Sequence, residues 1–312
     1  MPKSKPKPRA AKLKDSLAKL LSEHSRHKKK LQSQGVSQTR KSNPTKSPSK
    51  PFCSPYTATD RILLVGEGNF SFARALAEHV LGRGENLVAT CLDSEEVLIL
   101  KYEDEARANV EAVVAAGGTV LYEVDATKLN KCAALKGKRF EKIVFNFPHA
   151  GAGIKDQDRN VISNQTLLLS FFASSIPFLA SPVAYPTTDS AHGELHVTLK
   201  SGAPYDLWNV RQLVKQTGSL AVKTTLPFVP EAYPGYEHRR TLGFKDGTSK
   251  AGNEEIEGKS PKTYVFVREE AVKGELEKVR EGMERSKKEK RVARAGGKRK
   301  KRGEEDEEEE SE

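Results

Sequence analysis

Two glycines one residue apart, Gly66 and Gly68, end the apolar run Ile62–Val65 and open a helix-like segment at Phe70. Glycine lets the backbone turn sharply and leaves no side chain between that turn and a ligand. A strand–glycine loop–helix corner after a first strand is where doubly wound α/β folds hold adenosine-containing cofactors. Glu67, Asn69, Phe70 and Ser71 complete the candidate loop, with Ser71 as the small third position of a dinucleotide fingerprint. A tight turn with no ligand is the plainer use of the same residues. Asp93 lies 27 residues beyond Gly66 at the end of a second apolar run. A carboxylate there can accept both hydroxyls of a ribose, and capping the following helix is its competing use. Asp125 ends a third run, where it can reach an adenine amino group or act as a cap.

A fourth run, Ile143–Phe145, leads into Asn146, Phe147, Pro148 and His149. An Asn at a strand end followed by aromatic and proline residues is similar to the Asn-Pro-Pro-Tyr segment of nitrogen-directed methyltransferases. Proline stiffens such a loop so that the Asn carbonyl faces an incoming nitrogen. Phe147 or His149 can stack on a flat base removed from its neighbours, and the His149 imidazole can take a proton. A strand-ending proline turn beside a partly buried histidine is the alternative.

The elements that must position these residues alternate along the chain. Strands are predicted at 61–65, 87–92, 119–124, 141–146 and 194–200, and helices at 70–81, 94–116, 127–135, 162–175 and 205–217. This rhythm implies a parallel sheet covered on both faces. Ser219–Pro227 and Lys262–Val267 are β-like with no helical pattern between them, which predicts an antiparallel pair at the end. Five parallel strands followed by such a pair give the order of a class I methyltransferase-like Rossmann fold: a mostly parallel, seven-stranded sheet with antiparallel terminal strands. Trp208, on a predicted helix, reads as core packing.

Charge separates the tails from this core. Residues 1–50 carry a net charge of +13, residues 271–312 carry +1, and the middle carries −3. Expected boundaries are a basic, largely disordered arm over 1–56, a Rossmann domain over 57–269, and a charged tail over 270–312. Leu13, Leu17, Leu20 and Leu21 mark a short amphipathic helix in the arm, and Lys298–Arg302 form a basic cluster before an acidic end. Basic arms on a near-neutral domain suit tethering to a polyanion, RNA above all, and nuclear or nucleolar addressing. Cys53, Cys91 and Cys132 are too dispersed for a zinc site and fit a reducing compartment. No metal and no membrane association is expected, since no secretory leader or spanning apolar segment is read from the sequence.

Seven stretches in order resemble one family: LLVGEGNFSFA (63–73), ATCLDS (89–94), VLYEVDATKL (120–129), FNFPHAG (145–151), NQTLLLSFFAS (164–174), HVTLKSGAPYDLWNV (196–210) and YPGYEHRRTLGF (233–244). The chain is similar, over roughly 60–245 and the strand at 263–267, to the large-subunit (25S) rRNA (uridine-N3) methyltransferases, the BMT5-like family. That resemblance implies S-adenosyl-L-methionine as cofactor, bordered by Gly66, Glu67, Gly68, Asn69 and Phe70, with Asp93 on its ribose. It implies a methyl-transfer site at Asn146–His149, with Asn146 orienting and His149 as candidate base. Lys200, Tyr233, Tyr236, His238, Arg239 and Arg240 would form the nucleotide face, and ribosomal RNA in pre-ribosomal particles would be the partner of a monomer in the nucleolus or nucleus, with the cytoplasm as a second address. Ser181–His192 and 245–261 read as loop insertions without an assigned role. Two rival readings are a nicotinamide-dependent oxidoreductase using the same glycine corner, and a catalytically silent ribosome-assembly factor that keeps the fold for RNA binding.

Overall fold

The computed structural model describes residues 54–151, 153–154, 156–181, 192–241, 243, 252–274, 276–277 and 279–287. The amphipathic segment of the arm and the basic cluster at Lys298–Arg302 lie outside the described residues.

Seven strands form one sheet: β1 (Ile62–Leu64), β2 (Leu87–Thr90), β3 (Thr119–Leu121), β4 (Lys142–Asn146), β5 (Glu194–Leu199), β6 (Leu220–Pro227) and β7 (Lys262–Arg268). Their spatial order is β3-β2-β1-β4-β5-β7-β6. The first five run parallel, while β7 is antiparallel to both β5 and β6. The order reverses between β1 and β4, so the crevice beyond their carboxyl ends is the natural ligand position.

Alternate residues of the strands feed two cores, as the two-residue period requires. On one face Leu63, Val65, Ile143, Phe145 and Val197 pack under α3 (Gln157–Ser175) and α4 (Val210–Gln216). Trp208 is fully buried in this core. On the other face Ile62, Leu64, Ala89 and Val144 pack under α1 (Ser71–Ala75) and α2 (Glu95–Ala115). Gln157–Phe178 meets the length and apolarity of a membrane-crossing helix, contrary to the reading from sequence. Here it is a core helix, with Leu168, Phe171 and Phe172 buried against the sheet.

The differences from the predicted elements have local causes. α3 begins at Gln157 because the Asp156 side chain accepts from the Arg159 N–H at 2.8 Å. The predicted 205–217 helix divides at Asn209, whose φ of 47° cannot continue a right-handed helix. The predicted 70–81 helix widens after Ala75 into a π turn over Leu76–Val80, closed by the Leu81 N–H on the Leu76 carbonyl. β3 stops at Leu121, and Glu123, with φ of 55°, redirects the chain.

Candidate active site

The glycine loop leaves β1 at the sheet's switch point. Gly66 has φ of +69°, and a Cβ there would sit 2.4 Å from Phe145 Cε2, so only glycine fits. Glu67 is anchored by its N–H on the Thr90 carbonyl (2.9 Å), and its Oε2 accepts the Ala73 N–H (3.2 Å) at the start of α1. Burial drives the Glu67 carboxyl up from 4.5 to about 7, against the Ala73 hydrogen bond. Asn69 Oδ1 accepts from both the N–H and the hydroxyl of Ser71, and Asn69 Nδ2 donates to Glu105 (2.6 Å).

A cavity of about 340 Å³ opens above this loop, a volume suited to a cofactor of nucleoside size. Gly66, Glu67, Gly68, Asn69, Asp93 and Asp125 line it. Two members of the predicted cofactor set do not. Phe70 is fully buried with φ of 61°, its ring against Tyr122, because the left-handed turn tucks it under the loop. Ser71 is buried too, and its hydroxyl is engaged by Asn69 and by the Glu237 carbonyl and N–H.

The competing uses of the two aspartates resolve differently. Ser94, not Asp93, caps α2 by accepting from the Val97 N–H. Asp93 is left facing the cavity, with both carboxylate oxygens 2.7 Å from Lys101 Nζ. Asp125 does act as a cap: it takes the Thr127 N–H (2.8 Å) and hydroxyl (2.6 Å) and pairs with Lys128 (3.1 Å). Leu92, Val124 and Ala126 supply apolar wall beside the two carboxylates.

β4 delivers Asn146 in register with Thr198 of β5. Thr198 Oγ1 donates to Asn146 Oδ1 (2.7 Å), and the Thr263 hydroxyl lies 3.0 Å from Thr198. The carbonyl end of the amide is thereby engaged inside the protein, and Asn146 Nδ2 is buried without a hydrogen-bond partner. An unmet buried donor costs about 1–3 kcal/mol, and this one belongs to a residue that lines the cavity. The Asn146 side-chain carbonyl, expected to face an incoming nitrogen, accepts from Thr198 here. Phe147 (φ of 48°) packs its ring against His238, with centroids 4.7 Å apart. His149 Nδ1 accepts the Gly151 N–H (3.0 Å), which in the neutral ring leaves the proton on Nε2. Burial and Lys200 both lower the His149 pKa, which favours that neutral ring. In that tautomer His149 carries an N–H at Nε2.

A second cavity, about 370 Å³, adjoins the first and shares Phe147, His149, Gly151, His238, Arg239 and Thr241 with it. Pro148, Lys200, Tyr205, Arg240 and Glu255 also line it. Of the predicted nucleotide face, Lys200, His238, Arg239 and Arg240 line this chamber, whereas the two tyrosines do not. Tyr233 is 3% exposed and stacks on Phe228 at 5.5 Å. Tyr236 is 7% exposed, edge-on to Phe72, and reaches only the first cavity. Both belong to the core because Phe72 and Phe228 offer an aromatic socket that excludes water. Arg239 is likewise an anchor: its guanidinium pairs with Glu105 (3.1 Å) and Glu237, and the side chain is 10% exposed. Arg240 remains half exposed and pairs with Glu255 (2.7 Å). Burial, aided by Lys200, Arg239 and Arg240, pushes the His238 pKa down to about 3.

Residues 252–260, part of the 245–261 stretch read from sequence as an insertion without a role, brace this wall. Asn253 bonds the Tyr236 carbonyl (2.9 Å) and the His238 N–H (2.8 Å), and Glu255 pairs with Arg240 and Lys200. Thr198, Lys101, Tyr102, Glu105 and Glu237 were also missed. Tyr102 donates to the Arg240 carbonyl (2.7 Å), tying α2 to the same strap. Only the helical spacing of Leu98, Lys101, Tyr102, Glu105 and Asn109 signalled that α2 turns one face to the site.

A seven-stranded sheet of this order, with an acidic-walled cavity at its switch point, defines a class I methyltransferase-like Rossmann fold. Residues 63–240, more than half the chain, match the BMT5-like family, described as rRNA (uridine-N3-)-methyltransferase BTM5-like, and the chain belongs to that family. It is 31% identical over 238 residues to the 25S rRNA (uridine(2634)-N(3))-methyltransferase of Saccharomyces cerevisiae, covering 63% of this chain and 70% of the yeast protein. It is 36% identical over 189 residues to heavy metal-associated isoprenylated plant protein 41 of Arabidopsis thaliana, covering 60% of this chain but only 34% of that protein. Among solved structures, the fibrillarin pre-rRNA processing protein of Methanococcus jannaschii aligns over 67% of each chain at 10% identity with a TM-score of 0.37. The assignment rests on the family match and the strand order, not on that likeness.

Proposed function

We propose that this chain is an S-adenosylmethionine-dependent methyltransferase acting on N3 of a uridine in large-subunit ribosomal RNA. The observation that carries the reading is the junction of two cavities at Asn146–His149: one suits the cofactor, and the other is walled by Lys200, His238 and Arg240. The first chamber's chemistry fits the cofactor. Its carboxylates, Glu67 and Asp93, suit a ligand bearing a cationic group and ribose hydroxyls.

When bound, S-adenosylmethionine supplies an activated methyl group. The chain's own part is alignment and water exclusion. Asp93 would hold the ribose, with Lys101 keeping its carboxylate in place, and Glu67 would face the cationic end. Asn146, braced by Thr198 and Thr263, and His149 would present the edge of an unpaired uracil to the first chamber. Phe147 and His238 form the partition between the chambers, and Arg240 stands where an RNA phosphate would enter. Uracil N3 lies on the pairing edge, so the target must be single-stranded or splayed out. The net charge of +13 in residues 1–50 would add sequence-independent attraction to pre-ribosomal RNA and supports a nucleolar or nuclear site of action. Calorimetric titration of the full chain with S-adenosylmethionine and with NAD tests the first half of the reading. Binding of the former, weakened at least about tenfold in Asp93→Ala, is expected; equal or tighter binding of NAD would overturn it.

A further inference from the structure

We propose that the site reads uracil with two hydrogen-bond donors, Asn146 Nδ2 and His149 Nε2–H, and that the protein supplies no base for the N3 proton. The inference rests on the uridine-N3 reading above and says what at that site selects the base. Thr198 holds the carbonyl end of Asn146, which leaves the amino end of this cavity-lining residue buried and without a partner within the protein. His149 shows Nε2–H because the Gly151 N–H occupies Nδ1. Both residues line the cofactor chamber, and His149 also lines the second one.

Uracil carries carbonyl acceptors at O2 and O4 on either side of N3. Two donors on the protein match that edge. Cytosine has an amino donor at C4 and would set one donor against another, leaving a buried polar group unpaired. The same donors stabilise the negative charge that spreads over O2 and O4 as N3 loses its proton. On transfer the N3–H bond breaks and its proton leaves to water through the second chamber. The N3–carbon bond replaces the methyl's bond to sulfur, whose electron pair stays on sulfur. The other imidazole nearby, His238, is too weakly basic to intervene and has Nδ1 within 3.4 Å of the Tyr236 hydroxyl. Glu67, a carboxyl with a pKa near neutrality, accepts the Ala73 N–H and lines the cofactor chamber but not the second one, so it is given to the cofactor's cationic end rather than to the uracil edge.

The test uses the full chain on an unmodified large-subunit rRNA transcript, and on the same transcript with cytidine at the position the wild-type protein methylates. Nucleoside mass spectrometry then reads 3-methyluridine and 3-methylcytidine. Asn146→Asp keeps an acceptor for Thr198 but replaces the free donor with an acceptor. It should slow uridine methylation about a hundredfold and narrow the uridine-to-cytidine ratio by at least about tenfold. His149→Gln keeps an N–H at that reach and should stay within about tenfold of wild type, while His149→Ala falls further, the pH–rate curve keeping its shape in all three. Thermal melting of each variant verifies that it is folded. An unchanged base ratio in Asn146→Asp, or a His149→Gln as slow as His149→Ala with loss of the acid limb of the pH–rate curve, would overturn the inference while leaving the activity standing. Absence of 3-methyluridine from the wild-type reaction would instead overturn the activity on which it rests.

Discussion

Glu67 makes the glycine loop sensitive to pH in a way that can be measured without substrate. Its carboxyl is raised from 4.5 to about 7 by burial, so the folded chain holds that proton more tightly than the unfolded chain does. The sign follows from linkage: the folded state gains from protonated Glu67 below about pH 4.5, and this gain is lost as pH rises through 7. Each tenfold in proton affinity is worth about 1.4 kcal/mol, so the loss by pH 8 is about 2–3 kcal/mol, allowing for the part of Glu67 that meets the cavity. Glu67→Gln removes the ionisation while its amide oxygen can still accept from Ala73. Relative to wild type, the variant should melt about 4–12 °C higher at pH 8 and within about 2 °C at pH 5. Differential scanning fluorimetry of the two proteins across pH 5–8 is sufficient. A melting difference that is the same at both ends of that range would refute the buried-carboxyl argument. S-adenosylmethionine should bind the wild type more tightly as Glu67 ionises between pH 6 and 8, and Glu67→Gln should lack that dependence.

Two other substitutions separate positioning from anchoring. Thr198→Val removes the hydroxyl that orients Asn146 while keeping a β-branched residue in β5, so kcat should fall about tenfold with S-adenosylmethionine affinity unchanged in calorimetry. Arg239→Ala removes a buried guanidinium from two partly exposed carboxylates, Glu105 and Glu237, and should lower stability in urea titration by about 1–2 kcal/mol. If Arg239→Ala instead keeps full stability and loses only RNA affinity, its assignment as an anchor is wrong.

The fold was legible because its signals are local. Apolar runs ending in glycine or acidic residues, alternating with helical patterns, suffice to place seven strands. The candidate cavity was legible where a single strand end supplies its lining, as at Gly66, Asp93 and Asn146. It was not legible where the role depends on what lies across the sheet. Thr198 looks like any β-branched strand residue until β4 and β5 are paired in register, and only then does it fix which end of Asn146 is free. Tyr233 and Tyr236 look like stacking platforms in a loop rich in basic residues, yet Phe72 and Phe228 make them core. His149 read as a base because imidazole titrates near neutrality, and one backbone N–H from Gly151 changes which nitrogen is offered.

Methyl transfer to a uridine N3 in large-subunit rRNA can be read in cells. Large-subunit rRNA is purified from cells with and without this protein and digested for nucleoside mass spectrometry. Loss of 3-methyluridine on deletion is expected, restored by the wild-type chain but not by Asp93→Ala. Unchanged 3-methyluridine after deletion would contradict the account and favour an assembly factor that keeps the fold without the reaction.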